Sequence, residues 1–300
     1  MSPRDPHSAL RRGLAFLERA QLPNGAFSAV RLAPGRAREL ASTFTTAFVL
    51  DALLSARLPI GPLQERALDF LESEAEDGLW PFWSRDSLHR QTLPPDVDDT
   101  ACALSALLAA GRPFPAEQTL RLLSVNRTEY GLYLTWLGDR EDLDPGEADL
   151  TASFNVLYLL AQLGGRDPVA EATVSLMMSE DLIFRSSPYY PDAAVTLYCL
   201  ARLIGAGGLA NPAVVDFARQ QVVRIARSTH SPWERLLMVN AALDLGMASG
   251  LGDLDRILAD QLPEGGWPAE RLFIEAPEVE YSSAAVATAL GLRIVKLLSA

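Results

Sequence analysis

The triplet Gly78-Leu79-Trp80 separates an amphipathic segment from a nearly all-apolar one, and the same pattern stands at Gly25-Ala26-Phe27 and Gly131-Leu132-Tyr133. The three glycines follow one another at steps of 53 residues. An equal step of that length indicates one supersecondary unit used repeatedly. Since an amphipathic segment precedes each triplet and an apolar one follows it, the unit is predicted to be a helical hairpin.

Six such hairpins can be placed along the chain. The outer, amphipathic helices are expected near 8–20, 63–75, 115–125, 167–179, 212–228 and 253–261. The inner, apolar helices are expected to begin near Ser42, Asp98, Asp149, Asp192, Trp233 and Ser282. Prolines stand where helices tolerate them, in the first turn, and glycines where the inner helices should end. These positions are Pro62, Pro115, Pro168 and Pro212, and Gly111, Gly164, Gly205 and Gly246.

Paired helices of this kind either stack into an open solenoid or close into a ring. An open solenoid needs polar capping repeats, yet the last inner helix, which follows Ser282, is as apolar as the middle ones. The sequence therefore predicts an all-α fold, an α6–α6 toroid of two concentric helix layers, forming a single domain over residues 1–300.

Composition limits the classes of function. A chain of 300 residues with 49% hydrophobic and 21% charged residues can bury a sizeable core, and its net charge of −12 argues against a nucleic-acid partner. No apolar run reaches the roughly 18 residues that a membrane span requires, so we expect a soluble, cytoplasmic protein. Cys102 and Cys199 lie in apolar runs and are expected to be buried thiols rather than disulfide partners or zinc ligands.

The stretch 94–101, Pro-Pro-Asp-Val-Asp-Asp-Thr-Ala, places Asp96, Asp98 and Asp99 directly before the apolar run 102–110. One Asp at a helix start can accept hydrogen bonds from the unpaired backbone amides there, but that role needs only one carboxylate. Like charges at the edge of an apolar interior cannot all ionise cheaply, so at least one should keep its proton near neutral pH. Such a carboxyl is a candidate Brønsted acid.

In a ring, all inner helices point their N-termini toward the same rim, where the helix dipoles favour negative charge. The turns before these helices place the acids beside many aromatic side chains, which favours a hydrocarbon ligand over a polar one. The predicted rim residues are Phe44, Trp80, Phe82, Trp83, Asp96, Asp98, Asp99, Tyr133, Trp136, Asn155, Tyr189, Tyr190, Trp233, Glu234, Trp267 and Tyr281.

The first repeat, Arg12-Gly13-x-x-Phe16-Leu17-x-x-x-Gln21-x-x-x-Gly25-x-Phe27, resembles the QW repeat of squalene–hopene, oxidosqualene and class II diterpene cyclases. Gln261-x-x-x-Gly265-x-Trp267 matches the centre of that motif, and a third copy runs from Arg66 to Trp80 with Ala75 in place of the Gln. Asp96-Val97-Asp98-Asp99-Thr100-Ala101 resembles the DxDD motif of class II cyclisation.

The resemblance implies an α6–α6 barrel that protonates an alkene or epoxide of a linear isoprenoid, an isomerase-type cyclisation. By the same resemblance Asp98 is the proton donor, Asp96 polarises it and Asp99 supports it, while Asn155 could replace the family's His partner, with His230 a poorer candidate. Aromatic faces would stabilise carbocations. The implied substrate-binding residues are Phe44, Trp80, Phe82, Trp83, Tyr133, Trp136, Asn155, Tyr189, Tyr190, Trp233 and Trp267. Trp80 and Trp267 could instead pack on neighbouring repeats.

No metal ligands or required cofactor are expected, since a DDxxD-type metal motif is absent; Mg²⁺ would be expected with a diphosphate substrate. Arg85, His89 and Arg90 are the nearest basic residues to the acids and are either surface charges or a diphosphate clamp. The acidic stretch 139–149 is expected to be a solvated loop with Asp149 as a helix N-cap, the alternative being a Mg²⁺ site.

Two further questions stay open at this stage. Family cyclases enclose substrate between two barrels, so a homodimer or partner chain is expected to cover the aromatic rim through loops 81–95 and 181–191. The alternative functions are a non-catalytic isoprenoid-binding or scaffold toroid and a carbohydrate-active enzyme. An inverting glycosidase would need two carboxylates about 6.5–9.5 Å apart, such as Asp98 and Glu234.

Overall fold

Twelve helices in two layers make up most of the described part of this computed structural model, which covers residues 5–87, 90, 94–114, 116–137, 148–179, 182–247 and 254–299. The outer helices are α1 (Pro6–Ala20), α3 (Gly61–Glu74), α5 (Ala116–Val125), α7 (Pro168–Ser179), α9 (Pro212–Ser228) and α11 (Leu254–Ala259). The inner helices are α2 (Thr43–Ser55), α4 (Val97–Ala109), α6 (Leu150–Gln162), α8 (Ala193–Gly205), α10 (Pro232–Asp244) and α12 (Ala284–Leu298).

The inner helices form a closed ring. Going round it, α2 packs against α4, α4 against α6, α6 against α8, α8 against α10, α10 against α12, and α12 against α2. Most side chains of these helices are buried, as expected for segments that are apolar on all sides. The outer helices bury only one stripe each, which in α1 consists of Ala9, Gly13 and Leu17. The predicted helical toroid is confirmed.

Hydrogen bonds from glutamine side chains tie neighbouring outer helices together. Gln261 Nε2 donates to the carbonyls of Gly265 and Ala9 at 2.8 and 3.0 Å, and thereby joins the last repeat to the first. Gln21 makes the equivalent pair of bonds one repeat later, to its own turn and to α3, at 2.9 and 3.0 Å. The outer layer is therefore linked across the junction of the two chain ends.

A four-stranded antiparallel sheet, which the sequence analysis did not predict, lies in the linkers before α2 and α12. Its strands are β1 (Phe27–Ala33), β2 (Arg36–Ser42), β3 (Arg271–Ala276) and β4 (Val279–Ser282), in the spatial order β2-β1-β4-β3. β1 and β2 are joined through Pro34-Gly35, with Gly35 at a φ of 71°, as a tight turn requires. Because β1 pairs with β4, the sheet joins the first and last repeats.

Most predicted helix boundaries agree with the structure, including the end of the fourth inner helix. α8 ends at Gly205, as expected, and Gly207, two residues further on, adopts the left-handed conformation with a φ of 78°. A Cβ at position 205 would lie 2.9 Å from the backbone oxygen of Asp244, so this glycine allows α8 and α10 to approach closely. Within the described residues, no helix is both long enough and apolar enough to cross a membrane.

Candidate active site

Asp96 is the N-cap of α4. Its Oδ1 accepts hydrogen bonds from the backbone amides of Asp98 and Asp99 at 2.6 and 3.0 Å. This bonding uses one carboxylate to satisfy the helix start, as a capping Asp does. Asp98 and Asp99 lie in the first turn, only 3% and 2% exposed, and neither is needed for the cap. Two of the three acids are therefore left for another role.

Asp98 is held by groups from two other inner repeats. Asn155 on α6 donates its Nδ2–H to Asp98 Oδ1 at 2.6 Å. The hydroxyl of Tyr190, in the turn before α8, forms a very short hydrogen bond with Asp98 Oδ2. Cys102, one turn further along α4, places its Sγ 3.8 Å from Oδ1. Every hydrogen bond to this carboxyl comes from a neutral donor, so the group can exist in either protonation state.

Asp99 faces the opposite direction, toward α2, where the Thr43 hydroxyl donates to its Oδ1 in a short hydrogen bond. A fourth carboxyl, Asp149, is the N-cap of α6, as predicted, and accepts from the amides of Thr151 and Ala152 at 2.7 and 3.0 Å. Its side chain also borders the same cavity as the other three acids. The sequence analysis did not place it there.

Burial keeps this group of acids in a partly protonated state. Desolvation raises the pKa of Asp96 well above its ordinary value, and the charges of Asp99 and Asp98 add to the effect. The pKa of Asp98 is also raised by burial, although its hydrogen bonds to Tyr190 and Asn155 oppose the rise. The same desolvation raises the pKa of Asp99 to about 8 and that of Asp149 to about 7. Protonated carboxyls are therefore present at neutral pH.

A buried arginine fixes the orientation of Asn155. Arg202 on α8 donates from Nη1 to Asn155 Oδ1 at 3.3 Å, and its Nε lies 3.3 Å from Asp51 Oδ2. The guanidinium stacks 4.4 Å from the ring centroid of Tyr158 and 4.7 Å from that of Phe48. A guanidinium can only donate, so the amide must present its oxygen to Arg202 and its NH₂ to Asp98. The acidic proton of Asp98 therefore belongs on Oδ2, beside Tyr190.

The acids form one wall of a cavity of about 590 Å³. Aromatic side chains supply most of the remaining inner wall: Phe44, Phe82, Trp83, Trp136, Tyr189, Tyr190 and Phe273. Several of these rings hold one another in place. Phe273 of β3 stacks on Tyr281 with centroids 4.7 Å apart, and Trp136 donates its indole N–H to the Tyr189 hydroxyl at 3.1 Å. The cavity is thus acidic at one wall and apolar across much of its width.

Four aromatic residues predicted to bind substrate lie outside this cavity. The indole N–H groups of Trp80 and Trp267 donate to the carbonyls of Leu71 and Ile257, each at 2.8 Å, and both rings are fully buried. These bonds go to the outer helices of their own repeats. The Trp80 ring also lies 5.1 Å from that of Phe114, and Trp267 lies beside Gly13 of α1, so both rings pack on neighbouring repeats, which is the alternative role noted above. Tyr133 donates to Asp167 at 3.0 Å.

Trp233 borders a separate cavity of about 270 Å³ together with Glu234. Asp98 and Glu234 therefore belong to different cavities, which removes the geometric basis for pairing them as the two carboxylates of a glycosidase. Asn155 does not line the main cavity either, because it lies behind Asp98.

The proposed diphosphate clamp is not assembled in the described residues. Arg90 is committed to Glu74 and Glu76 through ion pairs of 2.8 and 2.9 Å, and Arg85 lies 4.0 Å from Glu76. Neither residue lines the main cavity, and His89 lies outside the described residues.

Most of the acidic stretch, residues 139–147, also lies outside the described residues. In the ranges that the structure covers, no group of three or more His, Cys, Asp or Glu is arranged to hold a metal ion.

Arginines do border the cavity, but they come from the unpredicted sheet: Arg31 on β1 and Arg36 and Arg38 on β2. The same sheet covers part of the aromatic rim. Phe82 packs edge-on against Phe273 with centroids 6.0 Å apart, and Trp83 and Tyr190 are only 8% and 7% exposed. The expectation of a homodimer or partner chain rested on a broadly exposed rim, but the rim aromatics that the structure describes are buried or half-buried; residues 88–89, 91–93 and 181 of the two expected contact loops lie outside the described residues.

No protein-family model and no curated protein matches this sequence. Solved structures do match. Type II terpene cyclase MstE from Scytonema, in an R337A variant complexed with geranylgeranyl dihydroxybenzoate as substrate, aligns with a TM-score of 0.73 at 16% identity over 97% of both chains. A protein from Actinoplanes aligns at 0.70 and 18% identity over 99% of this chain and 100% of that one. ent-Copalyl diphosphate synthase from Streptomyces platensis aligns at 0.63 and 17% identity, over 86% of this chain and 50% of that one. The chain therefore has the fold of type II terpene cyclases.

Proposed function

We propose that this protein is a class II terpene cyclase that starts cyclisation of a linear isoprenoid by protonating it with Asp98. The observation that carries the proposal is a buried carboxyl, with its pKa raised, at the wall of a cavity lined with aromatic rings. A similar fold in MstE holds a geranylgeranyl compound as substrate, which supports a hydrocarbon chain in the same kind of cavity.

In the initiating step, the proton on Asp98 Oδ2 adds to a carbon of an alkene, or to the oxygen of an epoxide. For an alkene, the π electron pair forms the new C–H bond and leaves a carbocation on the neighbouring carbon. Asp98 becomes a carboxylate, which the donors Asn155 and Tyr190 stabilise. The next alkene of the chain attacks the carbocation and forms the ring, and loss of a proton at the end makes the overall reaction an isomerisation.

The surroundings of Asp98 supply what a carbocation needs. The faces of the cavity aromatics attract positive charge, each by about 2 kcal/mol when water is excluded. Asp96 sets the position of Asp98 by capping the helix, and burial raises the pKa of Asp96 well above its ordinary value. Acid–base chemistry of this kind needs no cofactor. Mg²⁺ is proposed only as a counter-ion of the substrate, should the head group be a diphosphate.

Incubation of the purified protein with a panel of linear prenyl alcohols, diphosphates and prenylated benzoates, with and without Mg²⁺, tests the proposal by mass spectrometry of the products. Asp98→Asn keeps the shape and hydrogen bonding of the side chain but removes the acidic proton. Its turnover should fall by about 100-fold or more, with substrate binding retained. Asp216→Asn on the exposed face of α9 is the matched control and should leave turnover unchanged.

Unchanged turnover in Asp98→Asn would reject Asp98 as the acid. Tight binding of prenyl compounds without conversion by the unmodified protein would instead favour a non-catalytic isoprenoid-binding toroid.

A further inference from the structure

Charged residues of both signs line the main cavity, and they come from different elements of the fold. Its inner wall carries the carboxyls of Asp96, Asp98, Asp99 and Asp149, while its β-hairpin wall carries Arg31, Arg36 and Arg38. Aromatic and aliphatic side chains complete the lining, including Leu40 on the hairpin itself. A ligand that fits such a cavity has a long apolar body and one anionic end, because the carboxyls would repel that end and the arginines would attract it.

Strand register explains why the arginines face the same way. Side chains two residues apart on a strand point to one face, so Arg36, Arg38 and Leu40 share a face of β2, and all three line the cavity. Arg38 stands directly opposite Arg31 on β1. Like charges in a directly opposed pair destabilise a hairpin. Glu275 offsets the charge of Arg31, so Arg38 is the member of this pair whose charge remains available for a ligand.

Only one of the three arginines has its charge balanced within the described residues. Arg31 forms a bidentate interaction with Glu275, with Nε–Oε2 and Nη2–Oε1 distances of 2.9 and 3.2 Å. Arg36 and Arg38 have no ion-pair partner in the part of the chain that the structure describes, although the whole chain carries a net charge of −12. Two guanidinium groups at a cavity wall, each with five N–H donors, can bind the oxygens of a phosphate or carboxylate.

We propose that Arg36 and Arg38 bind the anionic head group of the isoprenoid substrate, either a diphosphate or a carboxylate. The substrate then lies with its head group at the β-hairpin and its far end at Asp98, so protonation takes place at the end of the chain that is remote from the head group. This inference rests on the proposed function for the position of the reacting alkene, but the binding of the anion can be measured without any reaction.

The test uses the full chain carrying Asp98→Asn, so that probes bind but do not react. Dissociation constants are measured for geranylgeranyl diphosphate, geranylgeranyl dihydroxybenzoate and neutral geranylgeraniol, which share one hydrocarbon chain. Arg36→Gln and Arg38→Gln together should weaken the preferred anionic probe by about 30-fold or more, since each lost charge-assisted contact is worth roughly a factor of ten. Geranylgeraniol should change by less than about threefold, because it has no charge to lose.

Arg121→Gln with Arg227→Gln is the matched control, since it removes the same two charges from the exposed faces of α5 and α9. It should alter none of the three dissociation constants. The anionic probe that depends most strongly on Arg36 and Arg38 identifies the head group as diphosphate or carboxylate. Equal weakening of neutral and anionic probes, or no weakening of either anion, would overturn the inference.

Failure of the head-group proposal can be told apart from failure of the proposed function. If binding depends on the charge of the probe but the protein with Asp98 intact converts no probe, the head-group site is supported and the cyclase function is rejected. If cyclisation depends on Asp98 but not on Arg36 and Arg38, the cyclase function is supported and the head-group site is rejected.

Discussion

Replacement of Arg202 should change both the rate of cyclisation and its pH dependence. Arg202 does not touch the cavity; it reaches Asp98 through Asn155, by hydrogen bonds of 3.3 and 2.6 Å across one amide. At a separation of roughly 7 Å and an effective dielectric constant of about 20, its charge stabilises the Asp98 carboxylate by about 2 kcal/mol. Arg202→Gln removes this stabilisation, so Asp98 becomes a weaker acid and kcat should fall about 10- to 30-fold.

The direction of the pH effect follows from the role proposed for Asp98. A general acid works in its protonated form, so turnover is lost as pH rises through the pKa of Asp98. Because the positive charge of Arg202 lowers that pKa, Arg202→Gln should move the alkaline limb of the kcat profile to higher pH while the plateau falls. A merely structural role would lower the plateau and leave the limb in place.

Folding must be controlled in the same experiment. Arg202 is 5% exposed, and removal of one partner of a buried ion pair typically costs about 3–5 kcal/mol because the other charge is left unpaired. Asp51, its ion-pair partner, can be neutralised together with it in an Arg202→Gln, Asp51→Asn double variant. Asp51→Asn alone is the control. Arg202→Lys should keep the pH profile of the unmodified protein, because it keeps the positive charge. An alkaline limb that stays in place in both glutamine variants, with the plateau reduced, would refute the role assigned to Arg202.

Two further predictions concern stability. Burial raises the pKa values of Asp149 and Asp99 in the folded protein to about 7 and about 8. Between about pH 4 and those values the folded protein therefore binds more protons than the unfolded chain. The free energy of unfolding should fall by about 1.4 kcal/mol per pH unit for each carboxyl over that window. Chemical denaturation at pH 5 to 8 should show this decline, and Asp99→Asn should flatten it; stability that rises with pH would contradict the assignment. Gly265 adopts a φ of 102° and lies against the backbone oxygen of Arg12, so Gly265→Ala should lower the denaturation midpoint far more than Gly35→Ala. Gly35 also has a positive φ but has open space around it, so Gly35→Ala should lower the free energy of unfolding by only about 1–2 kcal/mol. Equal losses of stability in the two variants would show that the contact of Gly265 with α1 is unimportant.

The helical part of the fold could be predicted because its signals are local and repeated. Each hairpin combines an amphipathic segment, a turn and an apolar segment, and the step of 53 residues identifies these as copies of one unit. The sheet could not be found in the same way. β1 pairs with β4 across some 250 positions of sequence, and β2 reads Arg-Ala-Arg-Glu-Leu-Ala-Ser, which has few residues that favour strands. No short-range sequence pattern indicates that β1 and β4 pair.

The site could be predicted only in part, because only some of its residues depart from a local sequence pattern. Three acids beside an apolar run break a local rule, so Asp96, Asp98 and Asp99 can be recognised from the sequence alone. The aromatic residue of each Gly-x-aromatic triplet keeps the local rule and simply fills the space between layers, as Trp80 and Trp267 do. Arg202 also breaks a rule, since it is a charge within the apolar run of α8, and that signal could have been used to find it.

Departures from local folding rules meet at one place in this molecule. Buried carboxyls crowd the start of α4, a guanidinium lies inside the ring of apolar helices, and Arg38 faces Arg31 across a hairpin. Each of these features places ionisable groups where local folding rules disfavour them. The carboxyls and the hairpin arginines border the main cavity, and Arg202 is linked to it through Asn155, which donates to Asp98. These groups therefore lie at the position where a buried proton and an anion-binding wall would be useful, which is the physical reason to look for catalysis there rather than in the remainder of the ring.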